Sequence, residues 1–173
     1  AAAADGLGRL GVPGTVGALQ QAFKDPDPFV HSSAAVALAR LKDPEGQAYV
    51  EQMLQSDVPE LRLAAAEAWN GQDGPWVEAI RPLLVNRDGL NRVRAARLIA
   101  PIDPESARRT LQEAAADPNP VMRAESVRIA AELAQQRPAI TDMAQLRRLL
   151  RDHDAATRLS SAGALMAVAR GVS

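Results

Sequence analysis

Apolar residues recur along the chain at intervals of three and four, the spacing that puts them on one face of a helix. The runs are short. Val16, Leu19 and Phe23 make one such face, Ala34, Ala35, Leu38 and Leu41 a second, and Tyr49, Val50, Met53 and Leu54 a third. The same period returns in Val77, Ile80, Leu83 and Leu84, in Ala107, Leu111 and Ala115, in Ser126, Val127, Ala130 and Leu133, and in Met143, Leu146 and Leu150. Nowhere do Val, Ile, Thr and Tyr alternate as a half-buried strand requires. The pattern predicts an all-α chain of short helices, each burying one face.

Between these runs one phrase comes back: an Asp-Pro type corner, an apolar residue, a basic residue and a helix of small residues. It reads DPDPFVHSSAAVALARL from Asp25, SDVPELRLAAAEAW from Ser56, DPNPVMRAESVRIAAEL from Asp117 and RDHDAATRLSSAGALMAV from Arg151, with a weaker copy, DGLNRVRAARLIAPI, from Asp88. With Val30, Leu61, Val93, Met122 and Thr157 as anchors, the spacings are 31, 32, 29 and 35 residues, a period that fits two helices and two turns. The Asp accepts from the free amides of the incoming helix, and Pro sits in the first helical turn, where its missing N–H costs nothing. The expected organisation is a single repeat domain over 1–173, with helix pairs at about 13–42, 43–72, 73–102, 103–136 and 137–171. A half-repeat at 1–12 precedes them, because DGLGRLGVPGTVGAL parallels VALARLKDPEGQAYV, and the chain reads as a fragment of a longer protein.

On this phrase the chain resembles the HEAT-repeat family, including the short bacterial HEAT-like repeats related to phycobilisome lyases, over nearly its whole length. The resemblance implies a right-handed α-α superhelix, an armadillo-like α-solenoid. It also implies a stacked ladder in which an Asp at the inter-helix turn pairs with an Arg six residues on: Asp88 with Arg94, Asp117 with Arg123, and Asp152 with Arg158. Two repeats depart from it. Asp25 meets His31, and Ser56 meets Arg62, with Asp57 as a substitute acid. These residues are read as scaffolding, since a charge-assisted pair repeated in every unit serves stacking. The Trp, Gly, Tyr and Pro signature of a tetratricopeptide array is absent.

Composition sharpens this picture. Hydrophobic residues make up 47% of the chain and aromatic ones only 3%, so Ala, Leu and Val must fill the core and the helices must approach closely. Net charge is −1, which by itself points to neither nucleic acid nor an anionic membrane. The halves differ: residues 1–86 hold six Lys and Arg against eleven Asp and Glu, and residues 87–173 hold fourteen against ten, every one of those fourteen an Arg. With no Cys there is no thiolate catalysis and no Cys-bound metal. No apolar run is long enough to span a bilayer, and the compartment stays open between cytoplasm and periplasm.

Candidate chemistry is sparse. His31 and His153 lie in different repeats without a metal-ligand partner at helical spacing, and Ser32, Ser33, Ser160 and Ser161 have no neighbouring His to activate them. Trp69 and Trp76 flank NGQDGP, read as a lengthened loop clamped by two indoles. No P-loop, GxSxG or HExxH motif occurs. The expectation is therefore a chain that is not an enzyme and uses no cofactor or metal. It acts as a scaffold, binding a protein or peptide through the concave face that the resemblance assigns to the second helices. Ser32, Ser33, Leu63, Glu67, Arg97, Glu125, Arg128, Glu132, Leu159 and Ser160 are its expected contacts. The alternatives are polyanion binding by the Arg-rich half, though nucleic acid is not favoured, or an accessory role beside a bilin-lyase-like or other enzyme. A monomer is expected, with the last repeat's outer face, around Leu165 and Val168, open to another copy or a following domain.

Overall fold

The computed structural model describes residues 14–69, 74–134 and 142–171, and among these every regular element is a helix. The expected half-repeat at 1–12 and the loop residues Asn70, Gly71 and Asp73 lie outside the described residues. The chain forms two compact units, residues 1–80 and 81–173.

In the first unit, α1 (Thr15–Ala22), α2 (Pro28–Arg40), α3 (Pro44–Leu54), α4 (Pro59–Ala68) and α5 (Trp76–Ile80) each pack on the next, and α2 also packs on α4. Alanine sets the spacing: Ala34, Ala35, Ala37, Ala65 and Ala66 are fully buried. At the closest approach Gly46 of α3 lies against α2, where an added Cβ would sit 2.5 Å from Leu38 Cβ and 2.6 Å from the Ala39 amide nitrogen. The turn out of α2 uses a left-handed Lys42 (φ 63°), with the Asp43 N–H donating back to the Leu38 carbonyl, the bond that closes a Schellman turn. Beyond α4, Gly74 packs against both indoles: its Cβ would lie 2.8 Å from Trp69 and 3.2 Å from Trp76.

The second unit opens with a 3₁₀ turn (Arg81–Val85), followed by α6 (Gly89–Ile99), α7 (Pro104–Ala114), α8 (Pro120–Ala134), α9 (Met143–Leu149) and α10 (Ala155–Gly171). The face at Val77, Ile80, Leu83 and Leu84 reads as one helix, yet the helix changes type at Arg81. Pro82 removes an N–H and crowds the carbonyl four residues back, so the chain tightens into 3₁₀ geometry. The buried faces still hold, with Ile80, Leu83 and Leu84 all in the core. In the last repeats Ala115, Val127, Leu146, Leu149 and Ala164 form one cluster against which Ala131, Met143 and Leu165 pack.

The corners before the second helices share one hydrogen-bond plan. The side chain of the first corner residue accepts from the amide two residues on: Asp25 from Asp27, Ser56 from Val58, Asn86 from Asp88, Asp117 from Asn119 and Asp152 from Asp154. In four of the five the next side chain then caps the helix, Asp27, Asp88, Asn119 and Asp154 accepting from Phe29, Leu90, Val121 and Thr157. This plan corrects the expected pairing of Asp88 with Arg94. The corner residue is Asn86, Asp88 is the cap, and the arginine six residues after the corner is Arg92. The anchor becomes Asn91 rather than Val93, and the spacings become 31, 30, 31 and 35. Asp57 does not substitute for Ser56, whose own hydroxyl accepts at the corner.

The ladder itself is made of arginines reaching in two directions. Arg92, Arg123 and Arg158 each donate to the carbonyls six and five residues back. Arg92 also reaches Asp117 of the next repeat at 3.4 Å, and Arg123 grips Asp152 through Nε and Nη2 at 2.9 and 2.7 Å. The expected partners Asp117–Arg123 and Asp152–Arg158 therefore meet through the aspartate's main-chain carbonyl, and the carboxylate pair is one repeat apart. In the first unit His31 stands where the arginine would be and instead stacks on Phe23, centroids 4.4 Å apart, with Tyr49 edge-on at 4.6 Å.

A second set of ties joins the first helices. Asp43, Asp103 and Asp142 cap α3, α7 and α9 with Oδ1, while Oδ2 accepts from Gln20, Arg81 and Gln112 of the preceding repeat at 3.1, 2.8 and 3.4 Å.

Two outcomes follow from this geometry. Gly46→Ala is expected to destabilise the first unit by about 2 kcal/mol, because the clash is with backbone and a Cβ that cannot swing away, measured as a lower urea midpoint at unchanged slope. The Asp152 carboxyl is held below its usual range, chiefly by hydrogen bonds from Arg123. Its stabilising effect is complete above the unfolded carboxylate pKa of about 4 and is lost as pH falls through the lower folded value. Asp152→Asn should lower stability at pH 7 and flatten the decline in stability below about pH 4, read by urea unfolding across a pH series.

Candidate interaction surface on the second helices

The second helices α6 and α8 are buried along Val93, Ala95, Ala96 and Ile99, and along Met122, Ser126, Val127, Ile129 and Ala130. Helical period then turns Arg97, Glu125, Arg128 and Glu132 away from that core. Arg128, 55% exposed in its side chain, donates bidentately to Glu125 at 2.8 and 2.7 Å and to Glu132 at 3.5 Å. Glu132 also lies 3.9 Å from Arg97 on α6. The four charges form an alternating network on one surface of the second unit. The Arg128 hydrogen bonds hold Glu125 below its usual pKa against the opposing effect of partial burial, with Arg97 adding attraction, and Glu125 in turn raises Arg128.

The remaining expected contacts fall into different environments. Leu159 of α10 is 75% exposed and Ser160 half-buried. In the first unit Ser32 and Ser33 are half-buried on α2, and Glu67 is half-buried on α4. Leu63 is fully buried in the core and is no partner contact. An apolar residue counted onto an outer position belongs inside, because α4 is closely covered on more than one side.

His31 is taken up by its aromatic stack and His153 is exposed, its carbonyl accepting from Arg158. Ser161 is buried and donates to the Thr157 carbonyl. Among the described residues no three His, Asp or Glu side chains converge so as to hold a metal ion, and no helix is long and apolar enough to cross a membrane. A small cavity of about 20 Å³ between α7, α8 and α9 is lined by Gln112, Ser126, Asp142 and Gln145 among others, room for one water.

The sequence signals that were missed are the first-helix ties. Gln20, Arg81 and Gln112 each stand five residues before the next corner at Asp25, Asn86 and Asp117, a regularity hidden by the change from amide to guanidinium.

Comparison with known proteins bears on these assignments. Residues 1–70 match the family model for HEAT repeats. No curated protein sequence matches the chain. Among solved structures, human deoxyhypusine hydroxylase, in complex with glycerol, has the same fold at 23% sequence identity and a TM-score of 0.50, covering 97% of this chain and 67% of that one. That protein is an enzyme, which overturns the expectation that this chain is not one. Lack of a compact motif was a weak ground for exclusion, because helical repeats can present reactive side chains from separate helices. HEAT repeats are in general protein-interaction scaffolds. Residues 1–70 are thus HEAT repeats by sequence, and the chain carries the all-α helical-repeat fold of a HEAT-repeat protein.

Proposed function

We propose that this chain binds a protein or peptide partner through the outer surface of its second helices, with the Arg97, Glu125, Arg128 and Glu132 network of the second unit as the recognition patch. The observation that carries this reading is the network itself. Four charged side chains on two adjacent helices are held in defined rotamers by each other, while their helices are anchored by other residues. A polar, mixed-sign patch whose side chains are already ordered loses less entropy on binding and selects partners by charge pattern. Pairing also weakens the polyanion alternative. Arg92, Arg97, Arg108, Arg123 and Arg128 all have carboxylate partners, so the Arg-rich half presents less free positive charge than its composition suggests.

Exposed ion pairs contribute about 0–1 kcal/mol each, so replacing the four residues by Ala should leave the helical circular dichroism and melting temperature nearly unchanged. A partner captured by the intact chain from the source lysate, and verified by titration with the purified partner, should then bind the quadruple variant at least about tenfold more weakly. Equal affinity for the two proteins would refute the assignment of this surface.

A further inference from the structure

The second helices expose apolar side chains where they begin. Leu90, the second residue of α6, is 46% exposed, and Val121, the second residue of α8, is 62% exposed. Phe29 holds the same place on α2 of the first unit at 81%. The three stand four residues after the corner residues Asn86, Asp117 and Asp25. In the second unit the residues on either side of this place face the neighbouring repeats. A Cβ on Gly89 would meet the Met122 side chain, and the Pro120 carbonyl accepts from Thr157 Oγ1 of α10 at 3.4 Å. The first helical residue thus faces one neighbour and the third faces the other; with about 3.6 residues per turn, the second points out between them. Leu90 and Val121 therefore lie side by side across α6 and α8. Exposed apolar residues are ordinary singly, but a contiguous row of them marks an interaction site.

The surroundings of the row decide what can cover it. On the same faces, one turn further along, stand Arg94 and Glu125, followed by Arg97 and Arg128. A partner helix is about 10 Å across, whereas Glu125 lies only about 6 Å along α8 from Val121. Such a helix would take those charges out of water along with the row, at a cost in desolvation. An extended chain is narrow enough to meet the row alone. In the polyproline II conformation, residues three apart fall on one side about 9 Å from each other. Packed helices stand about 8–10 Å apart, so one turn of such a chain reaches from α6 to α8. Charge adds a second condition. Arg87, at the α6 corner, is exposed and its side chain has no partner among the described residues. The acids of these corners are engaged: Asp88 accepts from the Leu90 amide and the Asn91 side chain, and Asp117 from Arg92.

We infer that Leu90 and Val121 seat an extended segment of a partner protein in the polyproline II conformation, with apolar side chains at two positions three residues apart and an acidic residue beside the one that covers Leu90. The row sets the apolar pair, and the unpaired Arg87 sets the acid. The inference rests on the reading of the second-helix face as the binding surface and names the form of its occupant. The row itself shares no residue with the network of Arg97, Glu125, Arg128 and Glu132.

The test uses the whole chain and a fluorescently labelled, end-blocked peptide, Glu-Glu-Leu-Pro-Pro-Leu-Pro-Pro, together with its reversed sequence to cover the other chain direction. Circular dichroism verifies both as polyproline II. Titrated by fluorescence anisotropy, one of the two should bind the intact chain saturably. Leu90→Lys/Val121→Lys, at exposed positions that do not threaten folding, should weaken binding at least about tenfold at unchanged melting temperature. Arg87→Glu should weaken it too, and changing both probe Glu to Lys should restore it. The variant with Ala at the four network positions should bind the probe as the intact chain does; loss of the probe there would move the site onto the network and overturn the row. Binding of neither peptide, or equal binding to the intact and Lys-substituted chains, would overturn the inference, whichever way the captured-partner titration of the network variant falls. Tighter binding of a helix-forming peptide with the same Leu and Glu content would do the same. So would self-association of the free chain, seen in sedimentation and abolished by Leu90→Lys/Val121→Lys, which would make a second copy the occupant.

Discussion

The structure depends on how a corner carboxylate divides its two oxygens. In Asp43, Asp103, Asp117 and Asp142 one oxygen accepts from amides of the corner or helix that the residue opens, and the other accepts from a side chain of the repeat before. The same atom group thus starts a helix and ties it to its neighbour. Free N–H groups at a helix start must be satisfied, and a cap alone would leave each helix pair free to slide along an alanine-rich surface with few large side chains to lock register. The second oxygen removes that freedom. Asp152 shows the strongest form, with Arg123 bidentate on the carboxylate while its own corner amide is held as well.

Close packing supplies the other half of the stability. Buried Ala and the Gly46 contact bring helix axes together, so dispersion over many short contacts replaces the large aromatic core of an ordinary domain. Phe23, His31 and Tyr49 cluster where the ladder arginine is missing, and stacking serves there in place of the ion pair. Trp69 and Trp76 close on Gly74, while Phe29, at a corner that follows the plan, is exposed.

These commitments decide what remains for function. Corner acids and the arginines Arg92 and Arg123 are taken up in the scaffold, which leaves the outward charges of α6 and α8 as the surface we propose for engaging another molecule. That surface is a mixed-sign network already satisfied by its own pairs, suited to selective contact with modest affinity.

Helical class, repeat period, capping residues and the burial of faces such as Ala34, Ala35 and Leu38 are determined by the sequence alone, because they follow from local spacing and from side chains that bond their own backbone. The same locality explains the errors. The weak copy at Asp88 is ambiguous by two residues, since Asn and Asp are both good corner acceptors, and only the packed corner assigns Asn86 and Arg92. Leu63 looks outward on a helical count of a single helix, but its burial depends on neighbours on more than one side. That Asp152 belongs to Arg123 rather than to Arg158, that Gln20, Arg81 and Gln112 share one role, and that Leu159 rather than Leu165 faces outward were decided by tertiary structure. The pairings depend on distances between residues 22 to 30 positions apart in the chain, and such distances exist only once helices have stacked.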